Sequence, residues 1–163
     1  MLTEQALGEF YERHARDVWT YAYRVTGNAA DADDIVQEAF LRLFKAERLP
    51  LQEEELRRYV FRVAGNLIAD RWRQRARDER HTAPAPEPGT PGGRDMDVVR
   101  VFSELKPRER ALLWLAYVEG DTHSDIASSL RVGRDSVKVL LSRARTRLRD
   151  LLKARGVGGG VEK

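Results

Sequence analysis

The chain contains no cysteine. That excludes a disulfide framework, a thiol nucleophile and any cysteine-based metal site. Histidine is scarce, and His14, His81 and His123 stand far apart without the spacing of a ligand set. No metal cluster, nucleophile–base pair or phosphate loop is present, so neither a cofactor nor an enzymatic activity is expected. No apolar run approaches membrane-spanning length, and the first residues lack the basic-then-apolar order of a signal peptide. The expectation is a soluble cytoplasmic protein with no membrane insertion. Proline is sparse too, and four of its six copies fall between Pro84 and Pro91.

What the chain does have is charge, unevenly placed. The net over 163 residues is only +3. From Met1 to Glu55, 6 Lys+Arg face 12 Asp+Glu, a net of −6. From Leu56 to Arg77, 7 Arg face Asp70 alone, a net of +6. From Arg134 to Arg155, 8 Lys+Arg face Asp135 and Asp150, again +6. One acidic segment is followed by two basic ones, and basic helices of this density suit phosphate contacts. A solvated Arg-rich helix has the same composition, so the charge gains meaning only from the patterns beside it.

Apolar residues at steps of three and four predict helices throughout. Leu2–Thr26 carries Leu7, Phe10, Tyr11, His14, Val18, Tyr21, Ala22 and Val25 on one face. His14 there reads as a satisfied core or boundary histidine. Gly27-Asn28 ends this helix and caps the next, which runs to about Ala46. Within it Asp31, Asp33 and Asp34 suit the positive end of the helix dipole. Ile35 or Val36, Ala39, Leu43 and Phe40 supply an inward face, leaving Asp34, Gln37, Glu38 and Leu41 outside. Carboxylates beside an apolar rim fit a basic docking partner, and also a plain solvated amphipathic helix.

After a loop over 47–55, a third helix spans about Leu56–Arg77, with Val60, Val63, Ala64, Leu67, Ile68 and Trp72 inward. Tyr59, Phe61, Arg62, Asn66, Asp70, Arg73 and Arg77 lie off that stripe. Exposed aromatics among arginines can stack on unpaired bases and hold phosphates, or simply edge a three-helix core. Residues 78–96, rich in Pro and Gly, read as a flexible linker.

The remainder is helical. Asp97–Leu105 comes first, then a helix opened by Pro107 and carried to Val118, with Gly120 as its stop. Thr122 and Asp125 have capping-box spacing ahead of a short helix. A turn at Arg131-Val132-Gly133-Arg134 leads into a last helix, Asp135 to about Ala154. Short helix, tight turn and longer basic helix make a helix-turn-helix. Val137, Leu141, Ala144, Leu148 and Leu151 form its seam, while Ser136, Lys138, Val139, Ser142, Arg143, Arg145 and Arg149 lie off it. The fold class is therefore all-α: two small helical domains joined by a Pro/Gly-rich linker. The domains are 1–77 and 97–155, the linker 78–96 and a frayed tail 156–163.

At this point the chain resembles a bacterial RNA polymerase sigma factor of the extracytoplasmic-function (ECF) group, which keeps the second and fourth conserved regions. Asp33-Asp34-Ile35-Val36-Gln37-Glu38-Ala39-Phe40-Leu41-Arg42 resembles the family's core-binding helix. The run from Arg58 to Arg71 resembles its promoter-melting helix. Leu105-Lys106-Pro107-Arg108-Glu109-Arg110, Tyr117-Val118-Glu119-Gly120, Asp125-Ile126-Ala127, Ser136-Val137-Lys138 and Arg143-Ala144-Arg145 resemble its promoter-binding helix-turn-helix.

The resemblance implies that Asp34, Gln37, Glu38, Phe40 and Leu41 grip the clamp of the largest polymerase subunit. It implies a minus-10 recognition loop over about Ala46–Glu55. It places Tyr59, Arg62, Asn66, Asp70 and Arg73 at the minus-10 DNA, with Asn66 near the flipped-out base. Arg134, Ser136, Lys138, Val139, Ser142 and Arg143 would read the minus-35 element. The flap of the second polymerase subunit would pack on the second domain, and an anti-sigma factor would hold the two domains closed. The chain departs from the family in three places. Tyr59 stands where Trp is usual, and Val139-Leu140 where a Ser-Arg pair is common. Arg131 stands where the turn often has Gly, so either Arg131 adopts a left-handed backbone or the turn differs. Two other readings use part of the chain: a free-standing helix-turn-helix regulator, and a sigma-like adaptor whose DNA reading is degraded.

Overall fold

A computed structural model of the chain describes residues 3–48, 52–77 and 94–156, with side chains from 98 onward in the last stretch. The elements are α1 (Glu4–Thr26), α2 (Ala29–Lys45), α3 (Glu53–Arg77), α4 (Arg94–Glu104), α5 (Pro107–Leu113), α6 (His123–Leu130) and α7 (Arg134–Ala154). Among the described residues there is no strand. The expected linker over 78–93, the tail beyond Gly156 and Leu49–Leu51 of the expected recognition loop lie outside the described residues.

Local chemistry sets the boundaries. The Thr3 hydroxyl accepts from Ala6 N and starts α1, and Gly27 ends it with φ +72°. Asn28 caps α2 through Asp31 N at 2.9 Å. Two expected boundaries shift. α3 opens at Glu53, because three glutamates at a helix start complement the dipole rather than form a loop. Arg13 and His14 meet Glu53 at 2.9 and 2.6 Å and hold its carboxyl down to about 2. α4 opens at Arg94, inside the stretch expected as linker. α5 does not run on to Val118 as one α-helix, because Trp114–Val118 widens into a π turn. Such turns are frequent at functional sites.

Helices α1, α2 and α3 pack into a bundle around Phe10, Val18, Val25, Ile35, Leu43, Val60 and Ile68. Helices α4 to α7 enclose Val101, Leu112, Leu115, Ile126, Val137 and Leu141. The two units touch: α6 lies on α3, and α5 on α1. Arg110 on α5 is buried and donates Nε and Nη2 to the Val25 carbonyl, at 2.9 and 2.7 Å. Its Nη1 donates to the carbonyls of Ser103 and Leu105. One guanidinium thus closes the C-terminal ends of α1 and α4, where carbonyls lack helical partners and the dipole favours a cation. Burial still lowers its pKa to about 10.

Candidate polymerase and nucleic-acid interface

On α2 the three early aspartates divide. Asp31 turns inward and accepts from Arg71 Nη1 at 2.9 Å and Arg75 Nη2 at 2.7 Å, clasping α2 to α3. Asp33 accepts from the Trp19 indole at 2.8 Å. Asp34 stays outward, with Arg71 only at 4.0 Å. Gln37 and Glu38 are exposed, and Glu38 pairs loosely with Arg42 at 3.0 Å. Leu41 is 47% exposed. Phe40 departs from expectation: it is 2% exposed, packed against Phe10, Tyr11 and Phe44, so it supports the surface rather than forming it. Tyr11 and Phe44 are exposed beside it, though the periodicity of α1 placed Tyr11 in the core. The result is a carboxylate face with an apolar rim of Tyr11, Leu41 and Phe44.

On α3 the residues expected off the stripe divide as well. Arg62 is exposed and lies over the Tyr59 ring, 5.4 Å from its centroid. Arg73 is exposed, 3.6 Å from Asp70. Phe61 is buried, tilted against Tyr21 with the Arg57 guanidinium over its ring at 4.6 Å. It is buried because α3 carries a second covered face. Asn66 Nδ2 donates to the carbonyls of Ser128 and Ser129, at 2.9 and 2.8 Å. Asp70 meets Arg131 at 3.2 Å. Arg57 pairs with Glu119, which also accepts from the Trp114 indole at 3.1 Å. Between α3 and the start of α6 lies a cleft of about 260 Å³ edged by Arg58, Tyr59, Arg62, Asp121 and Asp125. Burial, with Asp125 and Glu119 adding and Arg57 and Arg58 opposing, pushes the Asp121 carboxyl up to about 6.

The helix-turn-helix forms as expected. The Thr122 hydroxyl accepts from Asp125 N at 3.1 Å. Arg131 adopts the left-handed backbone, φ 58° and ψ 46°, which resolves the turn in favour of a strained arginine. On α7, Val137, Leu141 and Ala144 are buried, and Leu140 is half-buried at the seam. Arg134, Ser136, Lys138, Ser142 and Arg143 are exposed, and Val139 is 50% exposed in their midst. Arg145 donates to the Tyr117 hydroxyl at 2.8 Å. Among the described residues no cluster of His, Asp or Glu could hold a metal ion. No described helix is long and apolar enough to cross a membrane.

An outward carboxylate face with an apolar rim on one helical unit, and an exposed basic helix of a helix-turn-helix on the other, fit the class of DNA-binding proteins that also engage a protein partner. Known proteins narrow the class. The models for sigma-70 region 2 and sigma-70 region 4 match residues 10–78 and 95–148. The ECF RNA polymerase sigma factor SigL of Mycobacterium tuberculosis is 32% identical over 158 residues, spanning 90% of this chain and 89% of that one. The ferric citrate uptake sigma factor FecI of Escherichia coli is 27% identical over 145 residues, spanning 82% and 83%. Among solved structures, the sigma factor RpoE in complex with the anti-sigma factor NepR from Bartonella quintana has the same fold, with a TM-score of 0.68. It is 20% identical and covers 90% of this chain and 96% of that one. The chain belongs to the ECF RNA polymerase sigma factors. It is a transcription initiation factor, not an enzyme, and its partners are core RNA polymerase and promoter DNA.

Proposed function

We propose that three separate surfaces divide the work of initiation. Asp34, Gln37, Glu38 and Leu41, with Tyr11 and Phe44 beside them, hold the clamp of the largest polymerase subunit. Tyr59, Arg62, Asn66, Asp70 and Arg73 take the minus-10 strand as the duplex opens. Arg134, Ser136, Lys138, Val139, Ser142 and Arg143 read the minus-35 element. The observation that carries this division is the outward acidic-apolar face of α2 set apart from the exposed basic face of α7. Carboxylates repel DNA and suit a basic protein groove, whereas arginines and a lysine at a recognition helix suit phosphates and base edges.

The protein lowers the cost of promoter opening by supplying contacts to bases that have left the stack. Unstacking costs a few kcal/mol per base, and stacking on an aromatic such as Tyr59 returns about 1–3 kcal/mol. Val139, apolar and outward among hydrogen-bonding neighbours, suits a thymine methyl. The flap of the second polymerase subunit packs on the α4–α7 unit, an anti-sigma factor is the regulatory partner, and the site of action is the cytoplasm. Footprinting of a holoenzyme–promoter complex tests the assignments, with permanganate reporting unpaired thymines and nuclease cleavage reporting upstream protection. Arg62→Ala with Asn66→Ala removes strand opening while upstream protection persists. Lys138→Ala with Arg143→Ala removes upstream protection instead. Loss of both signals with either pair would contradict the division.

A further inference from the structure

Asp135 is a carboxylate on a helix whose neighbouring exposed charges are basic. It is the second residue of α7, between Arg134 and Ser136, with Lys138 one turn on. Its side chain is exposed, and among the described residues it has no ion-pair or hydrogen-bond partner. At about 3.6 residues per turn, positions two before and two after the buried Val137 both fall roughly 160° around the helix from it. Those positions are Asp135 and Val139, one turn apart on the outermost line of α7. Lys138 flanks that line on one side and Arg143 on the other, both exposed. The outward face thus carries an acceptor and an apolar group along its centre and cations at its edges.

Resting on the minus-35 role given to α7, we propose that Asp135 and Val139 are its base-reading pair. Asp135 accepts from the N4 amino group of a cytosine, and Val139 packs on a thymine methyl one or two base pairs away. Recognition helices meet base edges with their first residues, where Asp135 stands. A carboxylate in the major groove can only accept. Phosphates repel it, and guanine N7 and O6 and thymine O4 are acceptors too. Cytosine presents a donor alone, whereas adenine sets its amino group beside the N7 acceptor. The step between the two residues follows from geometry: four residues rise about 6 Å, and base pairs stack about 3.4 Å apart. Lys138 and Arg143 at the edges are placed to neutralise the phosphates that would otherwise repel the carboxylate.

A promoter located by run-off transcription supplies the test, with its upstream element randomised and selected on holoenzyme containing the full chain. The wild type prefers cytosine about tenfold at one position, and thymine about fourfold at another, one or two pairs away. Asp135→Asn moves the first preference to adenine, because an amide pairs with adenine N6 and N7 together. Asp135→Ala flattens that position alone. Val139→Ala flattens the other, and deoxyuridine in place of the thymine then weakens the wild type about fourfold and the variant not at all. No upstream preference with the wild type overturns the minus-35 role of α7, and the pair with it. An upstream preference that ignores both Asp135 variants overturns the pair alone, and a lowered thermal midpoint would then mark Asp135 as a charge placed for the helix dipole. Equal changes at every position overturn the pair as well.

Discussion

Single residues decide how the two units meet. Arg110 is the heaviest of these, because its guanidinium satisfies carbonyls from the ends of α1 and α4 at once. Arg110→Met keeps the bulk and leaves those carbonyls unpaired, at a cost of about 1–3 kcal/mol for each group that stays buried. The expected outcome is a fall in the urea midpoint with an unchanged slope. Asp121 acts through pH. Its carboxyl rises to about 6 in the folded protein, facing Asp125 and Glu119 with Arg57, Arg58, Arg62 and Glu55 across the cleft and Tyr21 nearby. In the unfolded chain it returns to an ordinary value near 3.9. Between those values the folded form binds more protons, so the stability this group contributes is fully present below about 3.9 and is lost as pH rises through about 6. Asp121→Asn therefore raises the thermal midpoint more at about pH 7 than at about pH 5.

At the scale of elements, α2 and α7 were legible in the sequence and α3 only in part. Capping and dipole signals located α2, and its apolar spacing exposed Asp34, Gln37, Glu38 and Leu41 as found. The seam of α7 follows from spacing alone because only one face is packed. Phe61 was misplaced because a period of 3.6 identifies one buried stripe, and Phe61 lies on a second face covered against Tyr21. Apolar spacing put Phe40 inward, as found, and only the resemblance put it on the docking surface. No local pattern could reveal Gly65 under Ser129 or Asn66 at the end of α6, since those pairs are more than 60 residues apart. The Asp31 clasp was likewise hidden behind a plausible dipole role. Asp31→Asn weakens both charge-assisted bonds to Arg71 and Arg75, and a loss of about 1–3 kcal/mol is expected in thermal unfolding.

For the whole molecule, charge partition and contact partition give the same division of labour. The acidic first third repels nucleic acid, so weak DNA binding by the free protein is expected, and the acidic-apolar face of α2 is the surface we propose for docking on polymerase.

The account stands or falls on run-off transcription with bacterial core polymerase free of other sigma factors, over fragmented DNA from the source organism. The wild-type chain should give discrete start sites. The triple change Asp34→Ala, Gln37→Ala, Glu38→Ala should abolish them and abolish co-elution with core, without shifting the thermal midpoint, because all three side chains are exposed. Undiminished start sites with the triple variant, or none with the wild type, would contradict the account.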